Sequence, residues 1–116
     1  MKDETYNEKL KRLIDEYVHS VYDLTIKFSK EEIYGTTSQF RRAAMSVMLN
    51  YVEGYARNSK KHYKQFLLIA YTSLQETVYL IDFTNKRSWI NNTERKHLLK
   101  LSQEISKMIW SIQNKL

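Results

Sequence analysis

The sequence predicts an all-α protein, an antiparallel up-down-up-down four-helix bundle, and three observations carry that expectation. Its 116 residues contain no proline and only two glycines, Gly35 and Gly54, whereas a β-rich domain needs many turns built from those residues. Apolar residues recur at steps of three and four over four long stretches, the spacing of one face of a helix. The links between these stretches are short and polar, which favours antiparallel neighbours over a globin-like or solenoid arrangement.

Helix 1 is expected at about 3–28, where Leu10, Ile14, Tyr17, Val21, Leu24 and Phe28 form one stripe. The mostly polar stretch 29–35 interrupts the pattern, and the hydroxyl of Thr36 or Thr37 is placed to cap a second helix at about 37–55. The core stripe of helix 2 reads Phe40, Ala44, Val47 and Tyr51. Ala43, Met45, Met48, Leu49 and Val52 add apolar surface around most of its circumference, with only Ser46 and Asn50 polar between Ala43 and Val52. Two readings of this excess stand: a subunit interface through Met45, Met48, Leu49 and Val52, or a helix deep in the bundle.

Helix 3 is expected at about 59–83, with Ser59 or Asn58 as N-cap and Tyr63, Phe66, Leu67, Ala70, Leu74, Thr77, Val78 and Ile81 at helical spacing. Asn91 followed by Glu94 makes a capping-box-like start for helix 4, at about 92–115, which carries Leu98, Leu101, Ile105, Met108 and Ile112. No internal repeat or low-complexity tract interrupts this layout, so 1–116 reads as one domain.

The 42% hydrophobic and 28% charged content holds too much apolar residue for intrinsic disorder. With no cysteine, neither a disulfide nor a thiolate metal site or nucleophile is available, which suits a reducing compartment. The segment Met1 to Arg12 is charged and polar rather than an apolar signal region, and no apolar run approaches a bilayer-spanning length. The expectation is a cytoplasmic protein with no membrane partner.

Catalytic constellations are sparse. Three scattered histidines, no Gly-rich phosphate loop and no nucleophile arrangement lead to the expectation of no enzyme and no cofactor. The parts of a di-metal carboxylate bundle are superficially present: Glu16 with His19, Glu94 with His97, and Glu53 and Glu76 on the remaining helices. In an up-down bundle, however, Glu16 lies about 18 Å along the axis from Glu94, Glu53 lies near the opposite end, and His19 points away from the core. These ligands are neither level nor inward-facing, so a metal site is rejected.

Charge supplies the functional signal. The net +6 is uneven: residues 1–32 carry a net −2, residues 33–75 a net +5 and residues 76–116 a net +3. Between helices 2 and 3, Arg57, Lys60, Lys61 and Lys64 cluster at one end of the bundle, flanked by Tyr55 and Tyr63. Cations beside aromatic rings suit nucleic acid, whose backbone they neutralise while unpaired bases stack. The bland alternative is solvated lysines over core tyrosines. Arg41 and Arg42 open helix 2, where the dipole disfavours cations. They point to an anionic partner or to a carboxylate such as Glu76.

The stretch Phe28 to Ala44, FSKEEIYGTTSQFRRAA, resembles a signature of the bacterial four-helix-bundle family associated with intervening sequences of 23S ribosomal RNA. Residues 53–59, EGYARNS, resemble its second signature, and Tyr63, Phe66, Leu67, Ala70, Ser73, Leu74 and Glu76 follow at the family's spacing. Met48 stands where many members carry a proline, and Val78 where a second acid would follow Glu76. The resemblance implies a homo-oligomer, a ring-like pentamer, with no established enzymatic activity. A related family serves diversity-generating retroelements by binding reverse transcriptase and nucleic acid. Two functions are therefore carried forward: a homo-oligomer binding RNA or DNA through its basic surface, and a protein adaptor docking a partner such as a reverse transcriptase.

Overall fold

The computed structural model describes residues 3–116; Met1 and Lys2, part of the expected 1–116 span, lie outside the described residues. Four α-helices follow one another: α1 Tyr6–Thr25, α2 Thr36–Ala56, α3 Lys60–Lys86 and α4 Asn92–Gln113, with a single 3-10 turn Lys30–Glu32 between the first two. No strand occurs among the described residues, and no described helix is long and apolar enough to cross a membrane.

Cross-helix bonds establish the direction of each helix. The Tyr51 hydroxyl near the end of α2 donates to Asn7 Oδ1 at the start of α1 (3.0 Å), while Arg41 near the start of α2 donates to Thr25 at the end of α1 (2.8 Å). Gln113 at the end of α4 donates to the Lys64 carbonyl near the start of α3 (3.1 Å), and Arg95 reaches Asp82 at the other end (2.9 Å). Lys9 meets Glu104 (3.5 Å) and Lys27 meets Glu94, so α1 and α4 are antiparallel too. This is the up-down-up-down order, with each helix packed on its two cyclic neighbours.

The expected stripes form the core. Leu10, Ile14, Tyr17 and Val21 of α1, Phe40, Ala44 and Val47 of α2, Leu67, Ala70, Leu74 and Ile81 of α3, and Ile105 and Ile109 of α4 are fully buried. The Tyr17 hydroxyl, its pKa pushed up by burial, crosses the diagonal to Thr77 Oγ1 (2.8 Å). A buried phenol without such a partner costs stability.

Helix ends depart from the sequence reading. α1 begins at Tyr6 rather than at about residue 3, and Thr5 caps it, accepting from the Glu8 amide. The helix stops at Thr25 rather than Phe28 because the chain tightens through Lys27 N to Leu24 O and Phe28 N to Thr25 O. Phe28 still packs against the core, its ring 5.5 Å from that of Trp89. Neither Thr36 nor Thr37 caps α2: Gly35 takes that position with no side-chain bond, and its carbonyl accepts the Gln39 amide. Thr37 turns inward and is buried.

Ser59 caps α3, accepting from His62, and Asn91 with Glu94 forms a full capping box on α4, as the sequence predicts. Lys27 and the Asn91 amide together hold the Glu94 carboxyl below its ordinary pKa. α3 runs to Lys86 rather than 83. It ends in a Schellman motif, with Trp89 N bonded to Thr84 O and Ser88 N to Asn85 O. Ser88 occupies the left-handed position of that motif, at φ 63°.

The most extensive helix contact joins α2 to α3. Small residues are buried along both helices, Ala43, Ala44 and Gly54 on α2 and Ala70 and Ser73 on α3, and the Ser46 and Ser73 hydroxyls bond at 2.7 Å. A Cβ on Gly54 would lie 2.7 Å from Phe66 Cβ and 3.2 Å from Tyr63 Cδ1. Alanine gains about 1 kcal/mol of helix propensity over glycine, but overpacking costs about 1–3 kcal/mol. Gly54→Ala is therefore expected to lower the urea-unfolding free energy, and a gain would contradict this seam. Ser88→Gly should do the reverse. Relief of the left-handed conformation, worth about 1–2 kcal/mol, is partly offset by unfolded-chain entropy, leaving a net gain of about 1 kcal/mol in the same measurement.

Candidate nucleic-acid interface

Antiparallel packing brings the start of α1, the α2–α3 connection and the end of α4 to one end of the bundle. There α2 stops at Ala56, Arg57 turns extended at ψ 133°, and Ser59 restarts the chain as α3. Lys60, Lys61 and Lys64 thus fall in the first two turns of α3, all exposed. No acid lies in that first turn, so its free amides and the three ammonium groups add to one positive potential.

Arg57 plays a different part from the lysines. Its Nη2 donates to Glu53 Oε1 at 2.7 Å, and its guanidinium lies 5.3 Å from the Phe66 ring centroid. It therefore neutralises the single acid of residues 33–75. Nearby acids are similarly engaged, Glu4 by Arg12 at 2.8 and 3.0 Å and Glu104 by Lys9. Arg12 holds the Glu4 carboxyl below its ordinary pKa. Exposed pairs of this kind contribute little stability, but they cancel charge. Lys60, Lys61 and Lys64 form no ion pair among the described residues.

The two tyrosines divide. Tyr55 is 56% exposed, its ring 6.0 Å from both Tyr51 and Tyr63, and it borders a groove of about 380 Å³ with Lys11, Glu8, Asn7 and Val52. Tyr63 is half-buried against Gly54, its hydroxyl 3.5 Å from Asn7 Oδ1. Burial pushes the pKa values of Tyr51 and Tyr63 upward; Tyr63 and Tyr55 add to the effect at Tyr51, and at Tyr63, Tyr55 adds to it while the hydrogen bond with Tyr51 opposes it. Both remain neutral donors, and Tyr55 alone of the three offers a wide open face.

Arg41 and Arg42 do not join this cluster, since 16 residues of helix separate Arg41 from Arg57, about 24 Å. Arg41 is committed inward, bonded to Thr25 with its guanidinium 4.7 Å from the Tyr22 ring centroid. It is not paired with Glu76. Arg42 is exposed and forms no ion pair among the described residues.

Of the proposed interface residues, Met45 and Met48 pack partly against the core, while Leu49 is 57% and Val52 42% exposed. The di-metal parts stay apart: Glu53 pairs with Arg57, Glu94 with Lys27, and Glu16 and His19 are exposed. Among the described residues no group of three or more acids or histidines is placed to hold a metal.

Sequence reading passed over Trp110, which is 44% exposed and lines a groove of about 620 Å³ with Lys61, Lys64 and Leu68. A signal was available, because Trp110 falls off the stripe Leu98, Leu101, Ile105, Met108 and Ile112. A large aromatic on the solvent side of an amphipathic helix invites a functional explanation.

Comparison with curated proteins finds no match. A crystal structure of a protein of unknown function from the S23 ribosomal protein family of Bacteroides thetaiotaomicron has the same fold. It superposes with a TM-score of 0.86 at 19% identity, covering 95% of this chain and 99% of that one. The family described as 23S rRNA-intervening sequence protein matches residues 8–111, nearly the whole bundle. The chain belongs to the 23S rRNA-intervening sequence protein family.

Proposed function

We propose that the protein is a non-enzymatic bundle that binds RNA or DNA through its basic end and works as a homo-oligomer. The observation that carries the binding half is the set of three lysines, Lys60, Lys61 and Lys64, exposed at the start of α3 without ion pairs among the described residues. Glu53, Glu4 and Glu104 are engaged in ion pairs while Glu8 forms none among the described residues, so a polyanion meets a field in which the three lysines predominate. Arg57 holds the connection in shape, and Arg42 stands apart as a second, distant cation. The carboxylates best suited to chemistry, Glu53 and Glu94, are held in ion pairs, which supports binding over catalysis.

The oligomer rests on α2. Single exposed leucines or valines are ordinary, but Leu49 and Val52 continue outward from Met45 and Met48 as one stripe over two turns. A second copy would remove that surface from water at about 25 cal/mol per Å² of apolar area. Five copies is the number the family resemblance implies, and a ring would repeat the lysines and strengthen their field. A protein adaptor, docking a partner such as a reverse transcriptase, is the second reading. It is favoured by Leu68, Ile69 and Tyr79, apolar α3 residues that are also exposed and lie outside the α2 stripe.

Each half has its own experiment. Binding to mixed RNA and DNA should weaken steeply with salt, with a log–log slope of about −2 to −4 for three or four phosphates neutralised per subunit. Changing Lys60, Lys61 and Lys64 together to Gln should flatten that slope while thermal unfolding stays unchanged; retention that ignores salt would refute phosphate binding. Light scattering should find an oligomer for the native protein, and Leu49→Asp with Val52→Asp should yield a folded monomer. A native monomer would remove the assembly.

A further inference from the structure

The groove beside Trp110 holds three kinds of group that converge on one ligand chemistry. Its α3 wall reads Lys61, Lys64 and Leu68, and its α4 wall reads Trp110, Gln113 and Asn114. Both walls run at helical steps of three and four, so each set projects from one face of its helix. Gln65 and Leu116 complete the lining, and no Asp or Glu side chain is among it.

Trp110 is fixed from behind, edge-on to Tyr71 with centroids 5.1 Å apart, and 44% of the residue remains open. Gln113 is 93% buried by the same measure that leaves it 7% exposed. Its Nε2 is used on the Lys64 carbonyl, whereas its Oε1 is buried with no hydrogen-bond partner among the described residues. The groove thus combines a ring to stack on, two cations on its rim, and the apolar Leu68.

We infer that this groove is a subsite for an unpaired nucleotide, with the base stacked on Trp110 and its flanking phosphates held by Lys61 and Lys64. The inference rests on the nucleic-acid reading and sharpens it, since it selects single strands over duplexes. In a duplex the base faces are buried in the stack, so no base is free to lie on Trp110. Leu68 adds apolar surface to the same groove. Aromatic stacking is sequence-tolerant because every base has a π-face, so single strands of any composition are accommodated.

The test uses the full chain with Trp89→Phe, which leaves Trp110 as the sole tryptophan while keeping an aromatic ring near Phe28 and Phe83. Its fluorescence is followed on titration with an oligothymidylate of about ten nucleotides, a duplex of equal length, and polyglutamate. The expected result is strong quenching by the single strand, little by the duplex, and none by polyglutamate. In the native background Trp110→Leu should weaken single-strand binding by about five- to a hundred-fold and leave duplex binding unchanged, with Trp110→Phe intermediate. Nucleic acid that binds without quenching Trp110, or quenching shared equally by polyglutamate, overturns the stacking subsite and leaves the basic-end reading intact. Absence of binding to any nucleic acid overturns both.

Discussion

The close approach of α2 and α3 at Gly54 is the constraint on which the rest of this molecule depends. A hydrogen in place of a side chain lets Phe66 Cβ and Tyr63 sit where a Cβ would otherwise be. With the helices that near, Tyr63 reaches the Tyr51–Asn7 cluster and Phe66 lies under the Arg57 guanidinium. Arg57 is thereby turned back toward Glu53 in a surface pair. The basic end is consequently built from lysines on α3, with the arginine serving as their support.

The same seam explains the apolar excess of α2. Ala43, Ser46 and Gly54 are the residues small enough to face α3, so Met45, Leu49 and Val52 occupy other sides of the helix. Of the two explanations weighed from sequence, a deep helix accounts for part of the excess. Met45 and Met48 do pack partly on the core, as a deep helix would, whereas Leu49 and Val52 do not. Helical spacing reports which residues share a side, and it cannot report how closely the neighbour approaches.

That limit recurs at other positions. The four stripes, the Asn91–Glu94 box and the Ser59 cap were legible because each depends on residues within one or two turns. Phe28 was read as helical because its spacing continues the α1 stripe; its burial was correct and its backbone was not, since the ring it meets belongs to Trp89, far along the chain. Thr36 and Thr37 were read as caps from residue type, yet Thr37 lies on the inward face, where burial outweighs a bond to a free amide. At the candidate site the lysine cluster was visible from local charge. The groove was not, because Trp110 comes to Lys61 and Lys64 only through the antiparallel docking of α3 and α4.

The geometry also orders the two aromatic candidates. Tyr55 borders a groove between α1 and α2 that includes Val52, and Val52 belongs to the stripe proposed to meet a second copy. An assembly through α2 covers that groove or narrows it. Trp110 lies on the opposite flank, between α3 and α4, since the helices follow one another in cyclic order around the core. Assembly on one flank then leaves a cationic groove with an open ring on the other, repeated once per subunit. In the proposed reading the two tasks fall to different pairs of helices: α2 for a second copy, and the α3–α4 groove for the strand.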